Sequence, residues 1–192
     1  METKDRAMFE IGKTYRFAGY DWTVCEVDNA GHYAVIQSHG VTHGAWPGYK
    51  MEKFGNNDYY ENDIDGQDIS AYDDKTQALY DAIKDVEDKS APYGKGLYLV
   101  SRGKVDFTEW GRLGSGCYWT ALKEAATNYS LVGATYDDVC LGTSGDYRNT
   151  WYVGRNGGVY GDYQHYDCVI APAFNIDLTK VEVVRDEIAI KR

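Results

Sequence analysis

The side chains best suited to chemistry lie in one short segment, residues 147–166, and the chemistry that they suit is noncovalent recognition. The segment interleaves tyrosines with arginines and short polar residues, separated by glycines. Tyrosine rings offer rigid contact area at low entropic cost, whereas Asn, Asp and His offer adaptable hydrogen bonds and Arg offers forked donors. We therefore predict a ligand-binding surface made of Tyr147, Arg148, Asn149, Tyr152, Arg155, Asn156, Tyr160, Asp162, Tyr163, His165 and Tyr166.

Patterns that would support catalysis are incomplete in the rest of the sequence. His39 and His43 stand four residues apart, but no HExxH motif accompanies them. Gly114-Ser115-Gly116 lacks the flanking residues of a nucleophile elbow, and no phosphate-binding loop or dinucleotide fingerprint occurs. We expect no enzyme activity and no cofactor.

One acidic segment resembles half of a calcium loop. Residues 61–66 (ENDIDG) place oxygen ligands at alternate positions before a glycine, as calcium loops do. Tyr72, however, occupies the position at which such a loop carries its bidentate Glu. We expect an acidic solvated loop and no metal.

The four cysteines are spread along the chain without a Cys-x-x-Cys clamp, so neither zinc spacing nor a dense disulfide framework is present. The burial habits of free cysteine favour isolated core thiols. A Cys140–Cys168 pair across a C-terminal sheet is the competing interpretation. The cysteines are Cys25, Cys117, Cys140 and Cys168.

Short strands and two helices are predicted to position the recognition segment. The spacing of Ala78, Leu79, Ala82, Ile83 and Val86 predicts a helix from Asp74 that ends before Pro92. A second helix is predicted over about Trp119–Tyr129. Period-two alternation and apolar runs predict strands at Thr14–Ala18, Tyr20–Val27, Tyr33–Ser38 and Gly96–Ser101.

A hairpin is predicted at the centre of the recognition segment. Trp151–Val153 and Val159–Tyr160 flank Gly154–Gly158, and Asn156-Gly157 readily supplies the positive φ angles of a tight turn. An apolar strand, Cys168–Phe174, is predicted to follow. Together these elements predict an α+β fold of short antiparallel strands and hairpins with two helices.

Length and charge restrict the class of protein. The chain of 192 residues is expected to form a single domain, residues 1–192, with an acidic loop insertion at about residues 56–74. A formal charge of -10 repels a phosphate backbone, so we expect no nucleic-acid partner. The first ten residues lack the apolar run of a signal peptide, and no stretch reaches the ~18 apolar residues of a membrane helix. We expect an unexported chain that does not insert into membranes.

Five stretches carry a resemblance to a known fold family: residues 20–24 (YDWTV), 96–101 (GLYLVS), 150–155 (TWYVGR), 157–159 (GGV) and 170–176 (IAPAFNI). The chain from Gly12 to Leu178 resembles a C-type-lectin-like domain. More narrowly, it is similar to an uncharacterised Firmicutes and phage domain that ends in a GVRPAFNL signature, and to the variable proteins of diversity-generating retroelements. Ala171 stands where that signature has Arg.

The resemblance implies a non-enzymatic, phage or mobile-element encoded module that binds a host protein or glycan through the recognition segment. It also implies location in the virion or host cytoplasm, and self-association, since lectin-fold phage proteins are often trimers. Two alternatives stay open. One is an acidic intracellular inhibitor that acts on a host system through Asn56–Asp74. The other is an oxidase of the formylglycine-generating type, for which Cys140 and Cys168 are the candidate thiols.

Overall fold

A computed structural model describes residues 9–45, 74–105, 114–131, 138–144, 149–163 and 167–191. Within these ranges the protein is a mixed α+β fold with two long helices, α1 (Asp74–Ser90) and α2 (Gly116–Leu131). The strands in chain order are β1 (Thr14–Phe17), β2 (Tyr20–Val27), β3 (Tyr33–Ser38), β4 (Thr42–Ala45), β5 (Gly94–Tyr98), β6 (Val139–Ser144), β7 (Asn149–Val153), β8 (Val159–Tyr163), β9 (Asp167–Ile170), β10 (Ala173–Asp177), β11 (Val181–Val184) and β12 (Glu187–Ile190).

The described strands form two sheets. One has the strand order β11-β12-β1-β2-β3-β10-β5, and the other has the order β4-β9-β6-β7-β8. Neighbouring strands are antiparallel except for the pairs β1–β12 and β6–β9, which are parallel. Helix α1 packs on β4 and β5, while α2 packs on strands of both sheets. The mixed fold with two helices and mainly antiparallel strands is therefore as the sequence predicts.

Two of the points at which the chain passes between the sheets lie side by side. The chain passes from β3 to β4 through His39–Val41, and from β9 to β10 through Ala171-Pro172. Backbone bonds join the crossings, with the N–H of Ser38 donating to Pro172 O at 3.0 Å and that of Val41 donating to Ile170 O at 2.9 Å. The prediction of one strand over Cys168–Phe174 is wrong, because the chain changes sheets at Ala171-Pro172.

A buried amide holds this double crossing together. The side chain of Gln37 is fully buried, and its Nε2 donates to the carbonyl oxygens of Ala171 at 2.7 Å, Ser38 at 3.2 Å and Pro172 at 3.3 Å. Backbone carbonyls at a bend that leaves a sheet lose their ladder partners, and an unpaired buried carbonyl is costly. Gln37 therefore adds side-chain hydrogen bonds to the two backbone bonds of the crossing.

The predicted helices and the first strands agree with the structure, with small shifts at their ends. Leu79, Ile83 and Val86 of α1 are buried, whereas Ala78 is exposed. Strands β2 and β3 have the predicted bounds, and β1 ends one residue early because Ala18 adopts a positive φ of 50° in the turn to β2. Strand β5 lies earlier than predicted, at Gly94–Tyr98.

Candidate functional site

The hairpin predicted in the recognition segment is formed by β7 and β8. The two strands pair antiparallel, with Asn149 opposite Tyr163, Thr150 opposite Asp162 and Tyr152 opposite Tyr160. Strand β8 is the last strand of the five-stranded sheet within the described residues. The loop between the strands, Gly154–Gly158, is thereby held at the end of the antiparallel β7–β8 pair.

The conformation of this loop differs in one detail from the prediction. Gly154 N donates to Gly158 O at 2.9 Å, and Gly157 N donates to Gly154 O at 2.8 Å. Among the loop residues only Gly157 has a positive φ, at 80°. The prediction that Asn156 also adopts a positive φ is therefore wrong. This is the pattern of a three-residue hairpin loop, in which a tight turn is followed by one left-handed glycine. The Oδ1 of Asn156 instead accepts a hydrogen bond from Gly158 N at 2.9 Å.

Helix α2 anchors the loop from outside the hairpin. Trp119, in the first turns of α2, donates its Nε1 hydrogen to Gly157 O at 2.9 Å. Gly114 N donates to the same oxygen at 3.4 Å. A Cβ at Gly114 would overlap the Trp119 ring, so glycine at this position lets the indole reach the loop. The loop is therefore tied by two hydrogen bonds to the start of α2 and the residues just before it, which reduces the conformational entropy that a partner would have to remove.

The predicted binding residues divide by exposure. Arg155 and Asn156 are exposed on the loop, and Tyr160 is half-buried against the core. Tyr152 is only 2% exposed, so its expected place on an outer contact surface is wrong. Its ring lies 6.2 Å from that of Tyr160, and the pair belongs to the packing of the sheet. Both faces of β7 are covered, so side chains on either face of this strand are buried. Tyr152 is therefore buried, although composition alone predicted a contact residue.

The remaining predicted site residues have less structural description. Asn149, Asp162 and Tyr163 have backbone positions on β7 and β8, as given above. The other four, Tyr147, Arg148, His165 and Tyr166, lie outside the described residues. The calcium-like segment 61–66 and the acidic residues 56–73 also lie outside them.

A cleft that the sequence analysis did not identify lies at the opposite end of α2. It has a volume of about 370 Å³, and Asn128, in the last turns of the helix, is about 14 Å along the axis from Trp119. Its wall at the start of β2 carries an ion pair between Arg16 and Asp21, with 3.3 Å between guanidinium nitrogen and carboxylate oxygen. The cleft is lined by Arg16, Tyr20, Asp21, His39, Asn128 and Tyr129.

Burial favours the uncharged forms of two side chains in the cleft, His39 and Tyr129. Burial lowers the pKa of His39, against opposing contributions from Asp21 and Glu124, and His39 Nε2 lies 2.6 Å from Thr23 Oγ1. Burial also raises the pKa of Tyr129 to about 12. A Cβ at Gly40 would lie 2.6 Å from Tyr129 Cε2, so the backbone there makes room for the ring. At neutral pH the cleft offers uncharged hydrogen-bonding groups beside one ion pair.

The sequence carried a signal for only part of this cleft. Tyr20 and Asp21 begin a predicted strand and Tyr129 ends a predicted helix, but their proximity depends on how α2 crosses the sheet. His39 and His43 stand four residues apart in the sequence, but the structure gives them different contacts. His39 bonds to Thr23, whereas the ring of His43 contacts that of Tyr129 edge-on, with 5.7 Å between centroids.

The cysteines considered for an oxidase are not presented at a surface. Cys140 and Cys168 are free thiols, and each residue is 1% exposed. Their strands, β6 and β9, are neighbours in the sheet, but the structure contains no bond between them. Cys25 is likewise buried, whereas Cys117 is partly exposed.

Comparison with known proteins finds no match among family models, curated proteins or solved structures. No helix in the described parts of the chain has the length and apolar character needed to cross a bilayer.

Proposed function

We propose that this protein is a non-enzymatic binding module with a C-type-lectin-like fold, which recognises a protein or a glycan through the β7–β8 loop. The observation that carries the proposal is the anchoring of Gly157 O by Trp119 and Gly114, beside the exposed side chains of Arg155 and Asn156. A loop that is already ordered binds without a further ordering cost. The resemblance to phage and mobile-element proteins supports a partner on a host cell.

The chemistry of the loop suits an anionic or hydroxyl-rich partner surface. Arg155 presents forked donors that match carboxylates and vicinal acceptors, and arginine is enriched among the residues that dominate binding energy. The Oδ1 of Asn156 accepts from Gly158 N, so the amide can offer its NH₂ group to a partner as a donor. Both exposed groups of the loop are therefore donors on a protein whose formal charge is -10.

Two substitutions in the loop test the proposal. Arg155→Glu reverses the charge, and Asn156→Asp keeps the oxygen that accepts from Gly158 N while it removes the NH₂ donor. Each is expected to weaken binding at least about tenfold, because each removes a central donor. Binding would be measured by retention of host-surface proteins from an extract and of glycans on an array by the immobilised full chain.

The chain supplies matched controls for both the charge and the location. Arg185→Glu makes the same charge change in the exposed β11–β12 turn. His39→Gln alters the cleft and retains a hydrogen-bonding partner for Thr23. Both controls should retain the partner that wild type retains. Loss of that partner with His39→Gln but not with Arg155→Glu would assign recognition to the cleft and reject the loop.

A further inference from the structure

Cys25 and Cys117 lie close together in the structure, although no pattern in the sequence indicates that they meet. Cys25 lies in β2 and Cys117 is the second residue of α2, and the two thiols are close enough for each to change the pKa of the other. The Cys117 thiol donates a hydrogen bond to Val24 O, the carbonyl next to Cys25, at 3.3 Å. Both are free thiols, so the structure holds the two cysteines in their reduced form.

The backbone of β2 is irregular at this position. In the pairing of β2 with β3, Val24 lies opposite Ile36 and Glu26 lies opposite Val35, so Cys25 is an extra residue in a β-bulge. Bulges turn a side chain away from the regular alternation and are common beside functional sites. Here the bulge lies where Cys25 meets the start of α2.

The two thiols differ in exposure and in pKa. The first, attacking thiol of an exchange site and the second, resolving thiol differ in the same way. Cys117 is partly exposed, whereas Cys25 is buried. The hydrogen bond from the Cys25 thiol lowers the pKa of Cys117, and the Gly12 N–H adds to the effect against desolvation. The position at a helix N-terminus favours a thiolate in the same direction. The same hydrogen bond, followed by burial, raises the pKa of Cys25.

We propose that Cys117 and Cys25 form a thiol–disulfide exchange site that takes a low-molecular-weight disulfide as its substrate. The Cys117 thiolate attacks one sulfur of the small disulfide, whose S–S bond breaks and whose other half leaves and takes a proton. The Cys25 sulfur then loses its proton to solvent and attacks Cys117 Sγ, which releases the second small thiol. The protein loses two hydrogens and two electrons, and the small disulfide is reduced to two thiols. This chemistry is independent of the binding function proposed for the loop.

The second step becomes easier once the first has occurred. The Cys25 thiol is held protonated chiefly by its hydrogen bond to Cys117. In the mixed disulfide Cys117 carries no negative charge, so that stabilisation of the protonated form is lost. Exchange therefore proceeds in the order of accessibility, with the partly exposed sulfur first and the buried sulfur second.

The test uses the reduced full chain with oxidised glutathione, acid quenching, blocking of the remaining thiols and peptide mapping by mass spectrometry. Wild type is expected to give a Cys25–Cys117 link. Cys25→Ser is expected to stop at a glutathione adduct on Cys117, and Cys117→Ser to leave Cys25 unmodified. Cys140→Ser and Cys168→Ser are matched controls that should still form the link, since both residues are 1% exposed. Circular dichroism verifies that each variant is folded.

A second measurement keeps the proposal testable if a variant fails to fold. In native wild type, iodoacetamide should alkylate Cys117 at least about tenfold faster than Cys140 or Cys168 at neutral pH. Cys25→Ala removes the hydrogen-bond donor and should shift the alkylation midpoint of Cys117 to higher pH than Cys25→Ser, which keeps one. A wild-type chain that accumulates the Cys117 adduct without the link, or whose Cys117 reacts no faster than the buried thiols, would overturn the proposal.

Discussion

Replacement of Gln37 by Glu should destabilise the protein in a way that depends on pH. The amide of Gln37 is fully buried and faces the carbonyl oxygens of Ala171, Ser38 and Pro172. A carboxylate in its place would confront acceptors with no donor, in a site without water contact. A protonated carboxyl, in contrast, would offer one O–H donor to Ala171 O. The variant therefore exchanges a good hydrogen-bond donor for one that is present only at low pH.

The magnitude follows from the pKa of the new carboxyl. Its pKa in the unfolded chain is about 4.3. Full burial raises the pKa of carboxyls by about 3 units or more. At a pH below the pKa of the unfolded chain, the carboxyl is protonated in both the folded and the unfolded protein. Its charge then does not lower the free energy of unfolding. Above that pKa, the free energy of unfolding falls by about 1.4 kcal/mol per pH unit until the folded-state pKa is reached. The charge therefore costs about 1.6 kcal/mol at pH 5.5 and about 4 kcal/mol at pH 7.5.

The assay is urea unfolding followed by tryptophan fluorescence for wild type, Gln37→Glu and Gln37→Leu at pH 5.5, 6.5 and 7.5. Gln37→Leu removes the donor without adding a charge, and should cost about 1–3 kcal/mol at every pH because it leaves Ala171 O unpaired. All three pH values lie above the pI near 4.8, so the chain keeps its net negative charge. A loss for Gln37→Glu that is the same at pH 5.5 and 7.5 would show that this position is hydrated, and would refute the reasoning.

Three further substitutions test the packing of β5 and the anchoring of the β7–β8 loop. Gly94→Ala places a Cβ against Asn175 O on β10, whereas Gly96→Ala meets open space at a φ of 61°. We expect a loss of at least about 3 kcal/mol for the first and about 1–2 kcal/mol for the second in urea unfolding, and equal losses would contradict the steric reasoning. Trp119→Phe removes the donor to Gly157 O, so we expect a loss of about 1 kcal/mol and faster amide hydrogen exchange at residues 155–158. Unchanged exchange in that loop would show that the indole does not order it.

Local patterns in the sequence predicted the elements that depend on local forces. The helix that includes Leu79, Ile83 and Val86 follows from apolar spacing, because side chains three and four residues apart share one face. Alternation predicted the bounds of β2 and β3. Glycine and asparagine placed the β7–β8 loop, since a left-handed residue is needed where a short hairpin turns.

The structure decided the features that depend on which distant segments meet. Cys168–Phe174 has the composition of one strand, and only the presence of two sheets divides it at Ala171-Pro172. Tyr152 has the composition of a contact residue, and only its place between packed layers buries it.

The cleft at His39 and the contact of Cys25 with Cys117 join residues far apart in sequence. The sequence by itself therefore determined the helices, most strands and the exposed loop, because neighbouring residues decide periodicity and turns. Only the tertiary structure decided which side chains are buried and which reactive groups touch, because those depend on the packing of elements that the chain brings together from a distance.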